Sequence, residues 1–316
     1  MIRPVQKDLY AVIGNPVAHS LSPVMMNAVF QALKIPAVYL ALQVDDLAKD
    51  LTVLSKLGIR GLSVTIPHKE SAYRLAESVD EPAQAMGAVN TLRPRGTRWE
   101  GLNTDWIGAI AALSQTMGQF ETHSPGETPP FVRENAQSET SATTHHSSLV
   151  THPYFEGKRA LVIGAGGVAR AVVYGLKHGL AAVTISNRGI ERGEALARAF
   201  DCRFVPLSEL SELKEEAVFD IIVQCTSVGL LDQEDATSFP GSLFHPGTVV
   251  MDTVYRPSLT PFLRKAEAAG CVAVSGVEML LHQGVAQLQW WFGELIQPEV
   301  VLPVMREALR GILADE

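Results

Sequence analysis

The stretch that most constrains this chain is Arg159-Ala-Leu-Val-Ile163, followed at once by Gly164-Ala165-Gly166-Gly167 and then by Val168-Ala-Arg-Ala171. A short apolar run that ends at glycine reads as a buried strand, and the residues beyond the glycines resume helical spacing. Glycine accepts backbone angles that other residues avoid and lets the main chain come close to a neighbouring group. Strand, glycine turn and helix in that order open a parallel α/β layer.

The following residues continue the alternation. Strands are expected at Ala182–Ser186, Arg203–Val205, Phe219–Gln224, Thr248–Asp252 and Val272–Val274, with helices over Val168–His178, Glu191–Phe200 and Pro261–Ala269. This pattern predicts a Rossmann-type, doubly wound sheet. The residues Gly164, Ala165, Gly166, Gly167 and Val168 would place free N–H groups and the positive end of a helix dipole against a pyrophosphate. A tight turn with close packing is the plainer alternative. A site selective for NAD would carry Asp or Glu at the end of the second strand. That strand instead ends Ser186-Asn187-Arg188, with Arg192 one turn later. Guanidinium groups pair well with a 2′-phosphate, so NADP is the expected cofactor.

The first part of the chain repeats the theme. Strands are expected at Leu9–Gly14, Ala37–Leu42 and Gly61–Thr65. Helices are expected at Met25–Leu33, opened by Ser22-Pro23 with Ser22 as the N-cap and the proline in the first turn, through Lys56 from a cap at Asp46, and at Lys69–Glu77. Ala88–Arg93 and Arg98–Gly101 read as two strands joined at Pro94-Arg-Gly96, before an apolar helix Trp106–Leu113. The result is a second α/β layer with a mostly parallel sheet. Helices over Gly276–Glu294 and Glu299–Leu313 close the chain, the last packing back on the first domain. Between the layers, Ser114–Pro153 is rich in Ser, Thr, Pro, Glu and Gln, keeps no period, and reads as a flexible insertion. His123, His145 and His146 lie in it without metal-ligand spacing, so no metal is expected. The expected division is a substrate-binding and catalytic domain over 1–113, joined by residues from about 285 to 316, an insertion over 114–153, and a dinucleotide-binding domain over 154–284.

Composition bounds the function. The chain has 316 residues, 47% hydrophobic and 19% charged, enough for two packed cores. The net charge of -8 argues against broad binding to nucleic acid or anionic membranes. Cys202, Cys225 and Cys271 are three in number and unpaired by spacing, which suits free thiols in a reducing compartment. No apolar leader and no run of membrane-spanning length is present, so a cytoplasmic location is expected.

The proton-transfer equipment lies in the first part. Lys69 follows a strand end and Pro67, where open α/β sheets place ligands, and Asp105 starts a helix. A lysine and a carboxylate together can polarise a carbonyl and relay a proton while hydride arrives. Singly, Lys69 also suits a solvated first turn and Asp105 an N-cap. Ser20 and Ser22, two apart beside a helix start, suit a carboxylate, although Ser22 could simply cap the helix. Thr65, Asn90 and Gln283 offer neutral partners for ring hydroxyls. His19 and His68 flank them as supporting residues.

These residues stand in motifs. Gly14-Asn-Pro-Val-Ala-His-Ser-Leu-Ser-Pro23, Ser63-Val-Thr-Ile-Pro-His-Lys69, Gly87-Ala-Val-Asn-Thr91 and Asn103-Thr-Asp105 come first. Gly164-Ala-Gly-Gly167, Asn187-Arg188, Thr226-Ser-Val-Gly229, Asp252-Thr-Val-Tyr255-Arg-Pro257 and Gly276-Val-Glu-Met-Leu280 follow, ending at Gln283. Together they resemble the shikimate dehydrogenase family, particularly the dehydrogenase half of the fused dehydroquinate dehydratase–shikimate dehydrogenase proteins. The resemblance implies two α/β domains and reversible, NADPH-dependent reduction of 3-dehydroshikimate to shikimate in aromatic amino acid biosynthesis. It implies Lys69 and Asp105 as the catalytic pair. Ser20, Ser22 and Tyr255 would serve the substrate carboxylate, and Thr65, Asn90 and Gln283, with the catalytic pair, the ring hydroxyls. On the cofactor side it adds Asn187, Thr226 and Gly276. The expected partners are the small-molecule substrate and no nucleic acid or membrane, in a monomer or homodimer. A quinate-using relative with relaxed cofactor choice and a non-catalytic sensor of ring acids are the competing readings. The presence of both Lys69 and Asp105 speaks against the sensor.

Overall fold

The computed structural model describes residues 7–120, 155–213, 218–228 and 239–314. They divide into two compact units, one running to Thr104 and resuming at Gln283, the other from Asp105 to His282. Most of the predicted insertion, with its four histidines, lies outside the described residues.

In the first unit, β1 (Asp8–Gly14), β2 (Ala37–Gln43) and β3 (Ile59–Val64) are parallel and joined through α1 (Ser22–Ala32) and α2 (Leu47–Lys56). After α3 (Lys69–Leu75) come β4 (Ser78–Val79), α4 (Glu81–Met86), β5 (Thr91–Arg95) and β6 (Arg98–Leu102). The strand order is β2-β1-β3-β5-β6-β4, with β5 antiparallel to both neighbours. The reversal comes from a two-residue hairpin turn that pairs Arg95 with Arg98. Gly96, at φ +63, supplies the left-handed angle such a turn needs. The strand thus runs through Pro94 and Arg95, which the sequence places in the turn. β4 and α4 were not expected, because two and six residues are too few to show a period. Asp80 caps α4, accepting from the Ala83 N–H at 3.0 Å. Asp46 caps α2 in the same way through the Lys49 N–H. Ser22 does not cap α1. Leu21 takes that position without a side-chain bond, and Ser22 is the first helical residue.

The unit's core combines Ile13, Leu54, Leu62, Leu92 and Trp99 on one face of the sheet. On the other face Tyr10 and Phe30 pack with Phe292, and Tyr10 also meets Trp291. Both of those last rings belong to the end of a long helix over Gly276–Phe292. Gly61 makes room for this packing, since a Cβ there would sit 2.5 Å from the Trp291 ring. The C-terminal helix, Pro298–Ala314, packs on α1.

In the second unit α5 (Asp105–Phe120) runs past Leu113, where the sequence suggested that helix would stop. Ser114-Gln-Thr looks loop-like in composition, but Thr116 turns its hydroxyl back to the Ala112 carbonyl and Gln115 reaches His282. The residues after it form β7 (Arg159–Ile163), α6 (Gly167–His178), β8 (Ala182–Asn187), α7 (Ile190–Ala199) and β9 (Arg203–Pro206). Then come β10 (Ile221–Gln224), β11 (Val249–Asp252), α8 (Pro261–Ala268), β12 (Val272–Val274) and α9 (Gly276–Phe292). The sheet is wholly parallel in the order β12-β11-β10-β7-β8-β9. Outward from β7 the chain winds first through β8 and β9, then through β10, β11 and β12, which is the doubly wound order. α10 (Pro298–Ala314) completes the chain.

Candidate active site

Open α/β sheets bind ligands beyond the carboxyl ends of their strands, at the point where the winding reverses. In the first unit that point lies between β1 and β3. Ser20 and Ser22 follow β1, and Thr65 and Lys69 follow β3, so the winding brings these four to one edge. The two strand ends are laced together. The Thr65 N–H donates to the Ile13 carbonyl at 2.9 Å and the Asn15 N–H to the Ile66 carbonyl at 2.9 Å. Gly14 leaves space for Thr65, whose Cγ2 would lie 2.4 Å from a Cβ at that position.

The Ser20 hydroxyl accepts from the Ser22 N–H at 3.3 Å, a local turn that holds both hydroxyls at the start of α1. Lys69 opens α3 and is 9% exposed, a burial uncommon for lysine. His68 beside it is buried, with Nε2 2.6 Å from the Val44 carbonyl. A carbonyl only accepts, so Nε2 carries the proton and the ring serves as a brace. The Lys69 carbonyl accepts from the Val89 N–H at 3.0 Å, which ties α3 to the strand approach that bears Asn90.

Asn90 is 2% exposed and heavily engaged. Its Oδ1 accepts from the Thr104 N–H and from the Thr91 hydroxyl, each at 2.8 Å, and its Nδ2 donates to the Thr104 hydroxyl at 2.9 Å. Asn103 adds a bond from Nδ2 to the Ala88 carbonyl at 2.8 Å. The chain leading to Asp105 is therefore held by Asn90 and its neighbours. Gln283 is buried one helical turn before Gln287. Gln287 was not singled out from the sequence. It accepts from the Ser63 hydroxyl, which itself accepts from Tyr39, and donates to the Asn90 carbonyl at 3.5 Å. A buried glutamine at i+4 from Gln283 on an apolar helix was the available signal.

In the second unit the winding reverses between β7 and β10, and Gly164 and Thr226 follow those two strands. Gly164 has φ +119, and a Cβ there would press to 3.2 Å on the Cys225 carbonyl group. Gly166 is the N-cap of α6 with no side-chain bond and open space around it, and the first turn of α6 holds no acid. A helix N-terminus with no carboxylate in its first turn and room beside its N-cap glycine fits a pyrophosphate. Asn187 donates to the Gly189 carbonyl at 2.8 Å and shapes the turn from which Arg188 projects, exposed and without an ion pair to any described residue. Arg192 is exposed on the first turn of α7. Thr226 accepts from the Val228 N–H, and its own N–H donates to the Gln224 side chain at 3.0 Å.

Asp105, Tyr255 and Gly276 belong to this second unit. Asp105 is buried at the start of α5. Burial raises the Cys225 thiol well above its usual range, with the Asp252 and Asp105 carboxylates adding to the effect, so the thiol stays protonated. Gly276 lies against the Asp252 and Val254 carbonyls, where a Cβ would meet both at 2.7 Å. Among the described residues no group of His, Cys, Asp and Glu could hold a metal ion, and no helix is long and apolar enough to cross a membrane.

Residues 12–92 match the family profile described as shikimate dehydrogenase substrate binding domain, and residues 148–236 match that of shikimate / quinate 5-dehydrogenase. The shikimate dehydrogenase (NADP(+)) of Syntrophobacter fumaroxidans is 48% identical over 316 residues, covering 100% of this chain and 98% of the relative. The chain belongs to the shikimate dehydrogenase family. Solved shikimate dehydrogenases share its fold. The Aquifex aeolicus structure superposes with a TM-score of 0.76 at 32% identity, covering 98% of this chain and 100% of that one. The Thermus thermophilus enzyme, solved in complex with NADP(H) and shikimate, gives a TM-score of 0.74 at 32% identity, covering 96% and 100%. Across the shikimate dehydrogenase family these two units are thus the N-terminal substrate domain and the Rossmann-type NADP domain.

Proposed function

We infer that the protein is an NADP-dependent shikimate dehydrogenase, which reversibly reduces 3-dehydroshikimate to shikimate on the route to chorismate and the aromatic amino acids. The observation that carries this reading is the full-length identity of 48% to a shikimate dehydrogenase (NADP(+)), with motif residues at the winding reversal of both sheets.

When bound, the reduced nicotinamide supplies a hydride to a carbonyl carbon. The chain's own residues do the rest. Lys69 orients the reacting oxygen and stabilises the charge that develops on it, and Asp105 shares the proton relay with it. Ser20, Ser22 and Tyr255 hold the substrate carboxylate. Thr65, Asn90 and Gln283 hold ring hydroxyls. The Oδ1 of Asn90 already accepts twice, so its contact to a substrate oxygen comes from the Nδ2 side. Gly164 to Val168 hold the pyrophosphate, with Asn187, Thr226 and Gly276 beside the nucleotide. Arg188 and Arg192 hold the 2′-phosphate, which favours NADP over NAD. The protein works in the cytoplasm, a reading supported by its free cysteines, and is read as a monomer or homodimer.

Initial rates for shikimate and for quinate, each with NADP and with NAD, test the assignment. Turnover is expected to be dominated by shikimate with NADP. Comparable rates with quinate or NAD would break the specificity assignment, and binding of shikimate without turnover would move the protein to the sensor class.

A further inference from the structure

The connection from β11 to α8 carries Tyr255, and one buried side chain holds it from within. Asp252 ends β11 and is 0% exposed. Its Oδ1 accepts from the Val254 N–H at 3.0 Å, at the start of the connection. Its Oδ2 accepts from the Thr260 hydroxyl at 2.7 Å, at the end. Thr260 is also the N-cap of α8, its oxygen accepting from the Leu263 N–H at 3.3 Å. From the side of α9, the Ser275 hydroxyl donates to the Ser258 carbonyl at 2.8 Å. Gly276 then presses so closely on the Asp252 and Val254 carbonyls that no side chain could stand between.

Burying a carboxyl group is costly unless its oxygens are matched. Connections between elements usually run over the surface and satisfy their backbone with solvent. Here a fully buried carboxyl group is spent on both ends of one irregular stretch, with Tyr255 between the anchors. Side chains that must be held to within a fraction of an ångström are supported in this manner by a second layer of hydrogen bonds. We propose that Asp252, acting through Val254 and Thr260, is a positioning residue that fixes Tyr255 for binding the substrate carboxylate. This deepens the proposed function and rests on its reading of Tyr255.

The test uses the full chain, with KM and kcat measured for shikimate and NADP. The variants are Tyr255→Phe, Thr260→Val, Thr260→Ser and the double variant Tyr255→Phe/Thr260→Val. Tyr255→Phe is expected to raise the KM for shikimate about tenfold. Thr260→Val, which removes the hydroxyl from Asp252, is expected to raise it about fivefold while kcat changes less than twofold. Thr260→Ser restores the hydroxyl and should bring KM back to within about twofold of the parent. In the double variant the Thr260 change should add less than about twofold, because its effect passes through the tyrosine hydroxyl. Effects that multiply in full overturn the proposal, as does an unchanged KM in Thr260→Val when Tyr255→Phe raises it. An unchanged KM in Tyr255→Phe itself overturns the reading of Tyr255 instead. If Thr260→Val does not fold, Asp252→Ala replaces it in the same cycle with the same expectations. That change removes the acceptor for Val254 and Thr260 together and leaves the Thr260 hydroxyl to cap α8.

Discussion

Asn90 Oδ1 accepts the backbone N–H of Thr104 at 2.8 Å, and because that N–H can only donate, it settles which way the amide faces. The amide side chain thereby joins the start of β5 to the residue just before Asp105. Asn90→Ala would leave the Thr104 N–H and the Thr91 hydroxyl without their acceptor in a buried place. The expected loss of stability is about 2–4 kcal/mol, measured by urea unfolding. A variant as stable as the parent would show that these bonds are replaced by solvent.

Lys69 is buried at the first turn of α3, and its carbonyl rather than its side chain ties it to Val89. Removing the side chain should therefore spare the backbone scaffold. Lys69→Ala is expected to lower kcat by roughly 10²–10⁴-fold, the range for loss of a positioned proton-transfer group. Circular dichroism should remain that of the parent. A variant that keeps most of its turnover sinks the catalytic assignment.

Arg188 is exposed at the turn after β8 and has no ion pair among the described residues, so its loss should cost the fold little. A guanidinium on a phosphate contributes about 1.5–3 kcal/mol, which corresponds to roughly 10–100-fold in affinity. Arg188→Ala is expected to raise the KM for NADP by that factor and to leave the KM for NAD within about twofold. An equal effect on both cofactors would place Arg188 away from the 2′-phosphate.

Burial raises the Asp252 carboxyl to about 7, outweighing the bonds from Thr260 and Val254 that lower it. In the unfolded chain the same group titrates near its usual value of 3.8. Between those values the unfolded state loses the proton and the folded state keeps it. This group's contribution to stability is therefore present below about pH 4 and lost as pH rises toward 7, by on the order of 4 kcal/mol in full. Asp252→Asn removes this titration. Its stability relative to the parent, from urea unfolding at pH 5 and pH 8, is expected to improve toward pH 8. A pH-independent difference between the two would contradict the raised value.

The alternation of strands and helices was legible because each element carries its own period. Asp46 was legible as a cap and the Gly164 turn as a reversal for the same reason: their partners are near neighbours. Ser22 was misread as a cap, since a serine before proline fits both the cap and the first helical position. The far end of α5 was missed because Ser114-Gln-Thr is polar, while its helical state depends on contacts such as Gln115 with His282. β4 and α4 are too short to carry a period and persist through Asp80 and pairing with β6.

By itself the sequence determined the fold class, the position of both glycine and lysine motifs at strand ends, and the chemical types available there. Those follow from local spacing and from which side chains can donate, accept or carry charge. Only the tertiary structure decided how those side chains are held. Gln287 meets Ser63 and Asn90 from the other end of the chain, and Asn90 turns its amide to Thr104. Asp252 closes a loop on Thr260. A hydrogen bond depends on distance and direction in space, and no spacing along the chain encodes either until the sheets have brought the partners together.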